Sequence, residues 1–62
     1  MDFNIDLKIG SAPAHHTTLS DFLRVNSHDD EIDGSAISAA LARGEAYDGV
    51  SGWARFTITL SR

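Results

Sequence analysis

The sequence predicts an α+β domain: a small antiparallel sheet, β-α-α-β-β along the chain, with two helices packed on one face. Three observations predict it. Residues 2–9 and 53–60 each alternate apolar with polar side chains, the period of a strand with one buried face. Between them, Leu19, Phe22 and Leu23, then Ile32, Ala36, Ile37, Ala40 and Leu41, recur at helical spacing. Glycine and proline fall where these patterns break.

In the first strand Phe3, Ile5, Leu7 and Ile9 share one face, and Asp2, Asn4, Asp6 and Lys8 the other. Gly10-Ser11-Ala12-Pro13-Ala14 ends it, and the pair His15-His16 is expected in the same Pro-containing loop. Thr18-Leu19-Ser20-Asp21 marks a helix start, with the Thr18 hydroxyl free to accept from a backbone N–H and Asp21 near the positive helix end. That helix is expected to run to about Asn26. The second is expected from about Asp29 to Arg43, with acids in its first turn, Arg43 in its last and Gly44 as the residue that ends it. Gly34 would cost about 1 kcal/mol inside such a helix, so a fresh start at Ser35, after an Asp33-Gly34 turn, is the alternative. Glu45-Ala46-Tyr47 is expected to be a short strand, turning through Asp48-Gly49-Val50-Ser51-Gly52 into the last one. There Ala54, Phe56, Ile58 and Leu60 form one face and Trp53, Arg55, Thr57 and Thr59 the other. On the open sheet face Asp2 and Asp6 are expected to meet Arg55 and Lys8.

The chain has 62 residues, which suits a single domain spanning 1–62, near the lower size limit for an unstapled hydrophobic core. It contains no cysteine, which removes disulfides and thiolate metal sites and is compatible with a reducing cytoplasm. The first residues lack the basic and apolar regions of a signal peptide, and no apolar run approaches the roughly 20 residues of a membrane span. With 42% apolar and 23% charged residues the composition is that of a folded domain. A formal net charge of -4 disfavours direct contact with nucleic acid or anionic lipid and favours a basic partner.

The densest charge is Asp29-Asp30-Glu31-Ile32-Asp33, four carboxylates in five positions. On a helix start, Asp29, Asp30 and Asp33 would project together, with Asp21, Glu45 and Asp48 as neighbouring charges. Carboxylates so spaced can imitate the phosphates of a nucleic-acid strand, and a basic groove would attract them in a salt-dependent way. The competing account is that they only satisfy a helix N-terminus and keep the chain in solution. Calcium is not expected, because Asp29, Asp33 and Gly34 are out of register with an EF-hand loop. Zinc is not expected either: His15, His16 and His28 lack the spacing of a zinc hydrolase. No serine sits in a nucleophile elbow, and neither an enzyme nor a cofactor is expected. Tyr47 and Trp53 are candidate aromatic anchors for an interface. The residues alone point to a small acidic binding module.

Leu19-Ser20-Asp21-Phe22-Leu23, Asn26, Leu41-Ala42-Arg43-Gly44-Glu45 and Gly52-Trp53-Ala54-Arg55-Phe56-Thr57-Ile58, in so small and acidic a chain, resemble the phage and mobile-element proteins that inhibit CRISPR-Cas systems. The likeness is to inhibitors of type I surveillance complexes. It implies a DNA mimic in the host cytoplasm that docks on the basic surface where a Cas subunit engages target DNA or its PAM; the sequence does not give the oligomeric state, and a monomer is favoured. Under that resemblance Asp29, Asp30, Glu31 and Asp33 would make the main contacts, flanked by Asp21, Glu45 and Asp48. The alternative is an antitoxin-like or regulatory interaction module that binds through a sheet edge or Trp53.

Overall fold

The computed structural model describes residues 2–52 and 54–61. Its elements are β1 (Asn4–Ile9), β2 (His15–Thr18), α1 (Leu19–Val25), α2 (Gly34–Ala42), β3 (Tyr47–Ser51) and β4 (Ala54–Leu60). The expected α+β class is present: four antiparallel strands in the order β2-β1-β4-β3, with two helices contributing to one core. The first and last strands are neighbours at the centre, and each carries a hairpin partner at an edge.

The central pair follows from the alternation. Leu7 lies opposite Ile58, with Ile5 opposite Leu60 and Ile9 opposite Phe56. Ile5, Leu7, Phe56 and Ile58 are buried on one face, while Asn4, Lys8, Arg55 and Thr59 are exposed on the other. Leu19 and Phe22 from α1 and Ile37 and Leu41 from α2 complete the core. The Phe22 and Phe56 rings meet at a centroid distance of 5.7 Å and a tilt of 48°, a favourable aromatic arrangement.

Two strands depart from the sequence reading. His15 and His16 do not lie in a loop. They open β2, which pairs Leu7 with His15, Asp6 with His16 and Ile5 with Thr17. All four β2 side chains are exposed or half-buried, so an edge strand of this kind carries no apolar alternation to betray it. β3 is also longer and later than expected, because Asp48-Gly49 is part of the strand and not a turn. Gly49 lies opposite Phe56, and a Cβ there would stand 2.8 and 2.9 Å from the two Cε atoms of that ring. Glycine at 49 therefore makes room for the largest core side chain on β4.

The helices are capped as their sequences suggest, with one displaced boundary. Thr18 Oγ1 accepts from the Asp21 N–H at 3.2 Å, and Asn26 Nδ2 closes α1 by donating to the Phe22 carbonyl at 2.8 Å. α2 begins at Gly34 and not at Asp29; the alternative start at Ser35 is nearer the truth. At its other end Gly44 takes φ 76°, with Gly44 N–H donating to the Leu41 carbonyl and Glu45 N–H to the Ala40 carbonyl, both at 2.9 Å. These two bonds are a Schellman motif, and a residue with a Cβ fits that backbone poorly.

The expected open-face ion pairs do not form, because register sets other neighbours. Thr57 lies between Lys8 and Asp48, Thr59 lies beside Asp6, and Arg55 lies opposite Val50. Asp6 instead meets His16 Nδ1 at 3.3 Å. Asp2 Oδ1 accepts from the Ser20 N–H at 3.0 Å and from the Phe3 N–H at 2.9 Å, bringing a carboxylate to the start of α1.

Gly49→Ala tests the ring-over-glycine packing. It is expected to destabilise the fold by about 1–3 kcal/mol, the usual cost of overpacking. Urea denaturation with an unchanged midpoint would contradict it.

Candidate functional site in the acidic loop

The acidic run does not open the helix; it forms the loop between α1 and α2. Successive backbone bonds tighten that loop: Asp29 N–H donates to the Asn26 carbonyl at 3.0 Å, and Ile32 N–H to the Asp29 carbonyl at 3.2 Å. Ile32 is half-buried and packs against the core, so the loop is anchored at its centre by an apolar side chain.

Three of the four carboxylates hold the loop in place. Asp29 is half-buried; its Oδ1 accepts from the Glu31 N–H at 3.0 Å, and its Oδ2 accepts from the Ser51 hydroxyl. Glu31 Oε1 accepts from the Gly52 N–H at 2.9 Å. Asp29 and Glu31 thus clamp the loop onto the turn that follows β3. Asp33 is the N-cap of α2, its Oδ1 accepting from the Ser35 and Ala36 N–H groups at 3.1 Å each. Asp30 is exposed, and no protein partner for its carboxylate occurs among the described residues. Charge is therefore fixed in position without being neutralised. Among the described residues the ion pairs are His16–Asp6, Arg24–Asp21 at 2.5 Å and Arg43–Glu45 at 3.1 Å, and none involves the loop.

The structure brings Asp29, Asp30, Glu31 and Asp33 together in one loop, and the other acids expected nearby stand outside it. Asp21 sits in the first turn of α1, lines the same groove as Ile32, and is paired with Arg24. That hydrogen-bonded pair raises the Arg24 pKa above its ordinary value. Glu45 follows the far end of α2, a nine-residue helix that rises about 13 Å. Asp48 lies on the open sheet face, where it accepts from the Thr57 hydroxyl at 2.7 Å. Glu45 and Asp48 therefore stand outside the loop. Tyr47 is half-buried against Phe56, with ring centroids 6.3 Å apart, and Trp53 lies outside the described residues. His15 and His16 stand on β2 and His28 in the acidic loop; no three His, Asp or Glu side chains among the described residues converge as a metal site would require.

The sequence reading missed two features. Ser51 and Gly52 are the loop's partners, yet nothing local links them to residues 22 and 21 positions earlier. An apolar groove of about 340 Å³ also opens between α1, the acidic loop and the sheet, with Leu7, Phe22 and Phe56 toward the core and Ile9, Val25 and Ile32 at its margins. Val25, the last residue of α1, is apolar in the sequence yet 67% exposed.

Comparison with known proteins finds no matching family model, no matching curated protein and no matching solved structure. No helix among the described residues is long and apolar enough to cross a membrane.

Two outcomes follow from these bonds. Asp33→Ala is expected to cost about 1 kcal/mol through loss of the N-cap, whereas Asp33→Asn, also a good cap, should stay near the parent in urea denaturation. The Ser20 backbone N–H holds the Asp2 carboxyl below its ordinary pKa. A depressed folded-state pKa lends stability above the ordinary carboxylate range that is lost as pH falls through the lowered value. The stability difference between parent and Asp2→Asn should therefore shrink on acidification, and a constant difference from neutral to strongly acidic pH would contradict this.

Proposed function

We propose that the chain acts by binding, as an inhibitor of a CRISPR-Cas surveillance complex in the host cytoplasm. It presents the acidic loop to the basic surface with which a Cas subunit engages target DNA or its PAM. The observation that carries the reading is the loop itself: four carboxylates, most of them held by backbone N–H groups, with no cation paired to them among the described residues. A nucleic-acid groove is built to receive a row of fixed negative charges, and a pre-positioned row loses less freedom on binding. The choice of a CRISPR-Cas complex as target comes from the resemblance in size, acidity and local segments.

Within the loop the outward contacts fall to Asp30, the free oxygen of Asp33 and Glu31, with Asp29 behind them as a strut. A second reading, an antitoxin-like module binding through a sheet edge, is favoured by one observation. β3 is an edge strand with neither lysine nor proline, and Val50 on it is 48% exposed. Salt separates the two, since binding through charge weakens with ionic strength and strand addition does so far less.

The test is an inhibition assay with purified type I surveillance complexes and the variant Asp30→Asn/Asp33→Asn, which removes charge and keeps a capping residue. Binding by the parent is expected to weaken at least about tenfold between 50 and 200 mM salt, as phosphate-type contacts do. The variant should remain folded, inhibit far less and show a shallower salt dependence. A folded variant that inhibits at full strength contradicts the proposal.

A further inference from the structure

The groove beside the acidic loop has no part in the reading above, and its make-up is specific. It is open, about 340 Å³ in volume, and floored by Leu7, Phe22 and Phe56. Two aliphatic side chains at its margin are left in water: Ile9 is 51% exposed and Val25 67%. A space of this size accommodates one large side chain or two small ones, and interface hot spots are commonly an aromatic or aliphatic anchor seated in such a pocket.

Charge identifies the occupant. The wall that Ile32 contributes belongs to the acidic loop, and Ser51, also in the lining, donates to Asp29. Asp21 also lines the groove, with its charge balanced by Arg24, and none of the described lining residues is itself a cation. An apolar side chain entering the groove therefore passes close to Asp29, which bonds the lining residue Ser51, and to Glu31, which bonds the adjacent Gly52, and both charges favour positive neighbours.

We propose that the groove is a docking site for a protein segment in which one large apolar side chain is flanked by lysine or arginine, the apolar group filling the groove and the basic groups meeting the loop. The proposal rests on the acidic loop being a binding surface and adds a contact that charge alone does not supply. It also gives Val25 and Ile9 a reason for their exposure: the partner's anchor covers both. Buried apolar area supplies affinity that persists in salt, so a partner with this anchor keeps part of its binding when the loop is screened.

The test uses the intact chain and three capped pentapeptides, Lys-Lys-Trp-Lys-Lys, Lys-Lys-Ser-Lys-Lys and Glu-Glu-Trp-Glu-Glu, with methyl NMR as the readout. The basic Trp peptide is expected to shift the Ile9, Val25 and Ile32 methyls saturably, and the other two to bind at least about tenfold more weakly, since loss of the anchor or of charge attraction removes a main term. Val25→Ser, at an exposed position the fold does not need, should weaken the basic Trp peptide about fivefold through lost apolar contact. If the Ser peptide binds equally well, shifting only loop amides, the groove proposal is overturned while the acidic-surface reading stands. If the acidic Trp peptide binds equally well, the charge requirement is overturned and the acidic-surface reading is weakened with it. An unchanged affinity in Val25→Ser overturns the groove as the seat of the anchor.

Discussion

The pairing of β1 with β4 is the constraint from which the rest of the structure follows. A cysteine-free chain of 62 residues has no covalent staple, so its core must be closed by burial. The two most regular strands stand near its two ends, and their pairing places Ile5, Leu7, Phe56 and Ile58 side by side on one face. Each then has an outer edge to cover, and each covers it with a hairpin partner close in sequence. The segment joining the two edge strands must cross the buried face, and it does so as α1 and α2. Its midpoint, the acidic loop, is thereby carried to the end of the sheet where β3 turns into β4. The position of the charge is a consequence of topology.

That placement shows what the acidic run does within the fold. Capping and solubility require one or two acids, and the structure identifies the caps: Asp33 for α2, and Asp29 and Glu31 for the turn after β3. The bonds to these carboxylates come from uncharged donors, so their negative charge remains. Structure and electrostatic presentation are not alternatives here, because the same hydrogen bonds that order the loop also fix where its charges stand. Asp30 alone has no structural task among the described residues. The apolar groove next to the loop is lined by Ile32 of the same run and by Ser51, the partner of Asp29.

How legible this was in the sequence depended on range. β1 and β4 were legible because one-sided burial writes a period of two into the chain. The start of α1 at Thr18, the spacing of Ile37, Ala40 and Leu41, and the stop at Gly44 were legible because caps and helical faces are local. β2 was not, since an edge strand with no buried side chain has no apolar pattern. β3 was obscured by Asp48-Gly49, whose glycine answers to a phenylalanine seven positions later. In the candidate site, the loop's four acids were legible as a cluster, but their division of labour was not. The donors at Ser51 and Gly52 lie outside the loop, and nothing within residues 29–33 themselves distinguishes a helix start from a clamped loop.

The most direct test of the clamped, charge-bearing loop is amide hydrogen exchange at Gly52 in the parent chain and in Glu31→Ala. The Gly52 N–H donates to Glu31 Oε1 across 2.9 Å, and hydrogen bonds to charged acceptors contribute on the order of 1.5–3 kcal/mol. The account predicts slow exchange at Gly52 in the parent and acceleration of roughly tenfold or more in the variant, with the amides of β1 and β4 unchanged. Equal Gly52 exchange rates in the two proteins would contradict it.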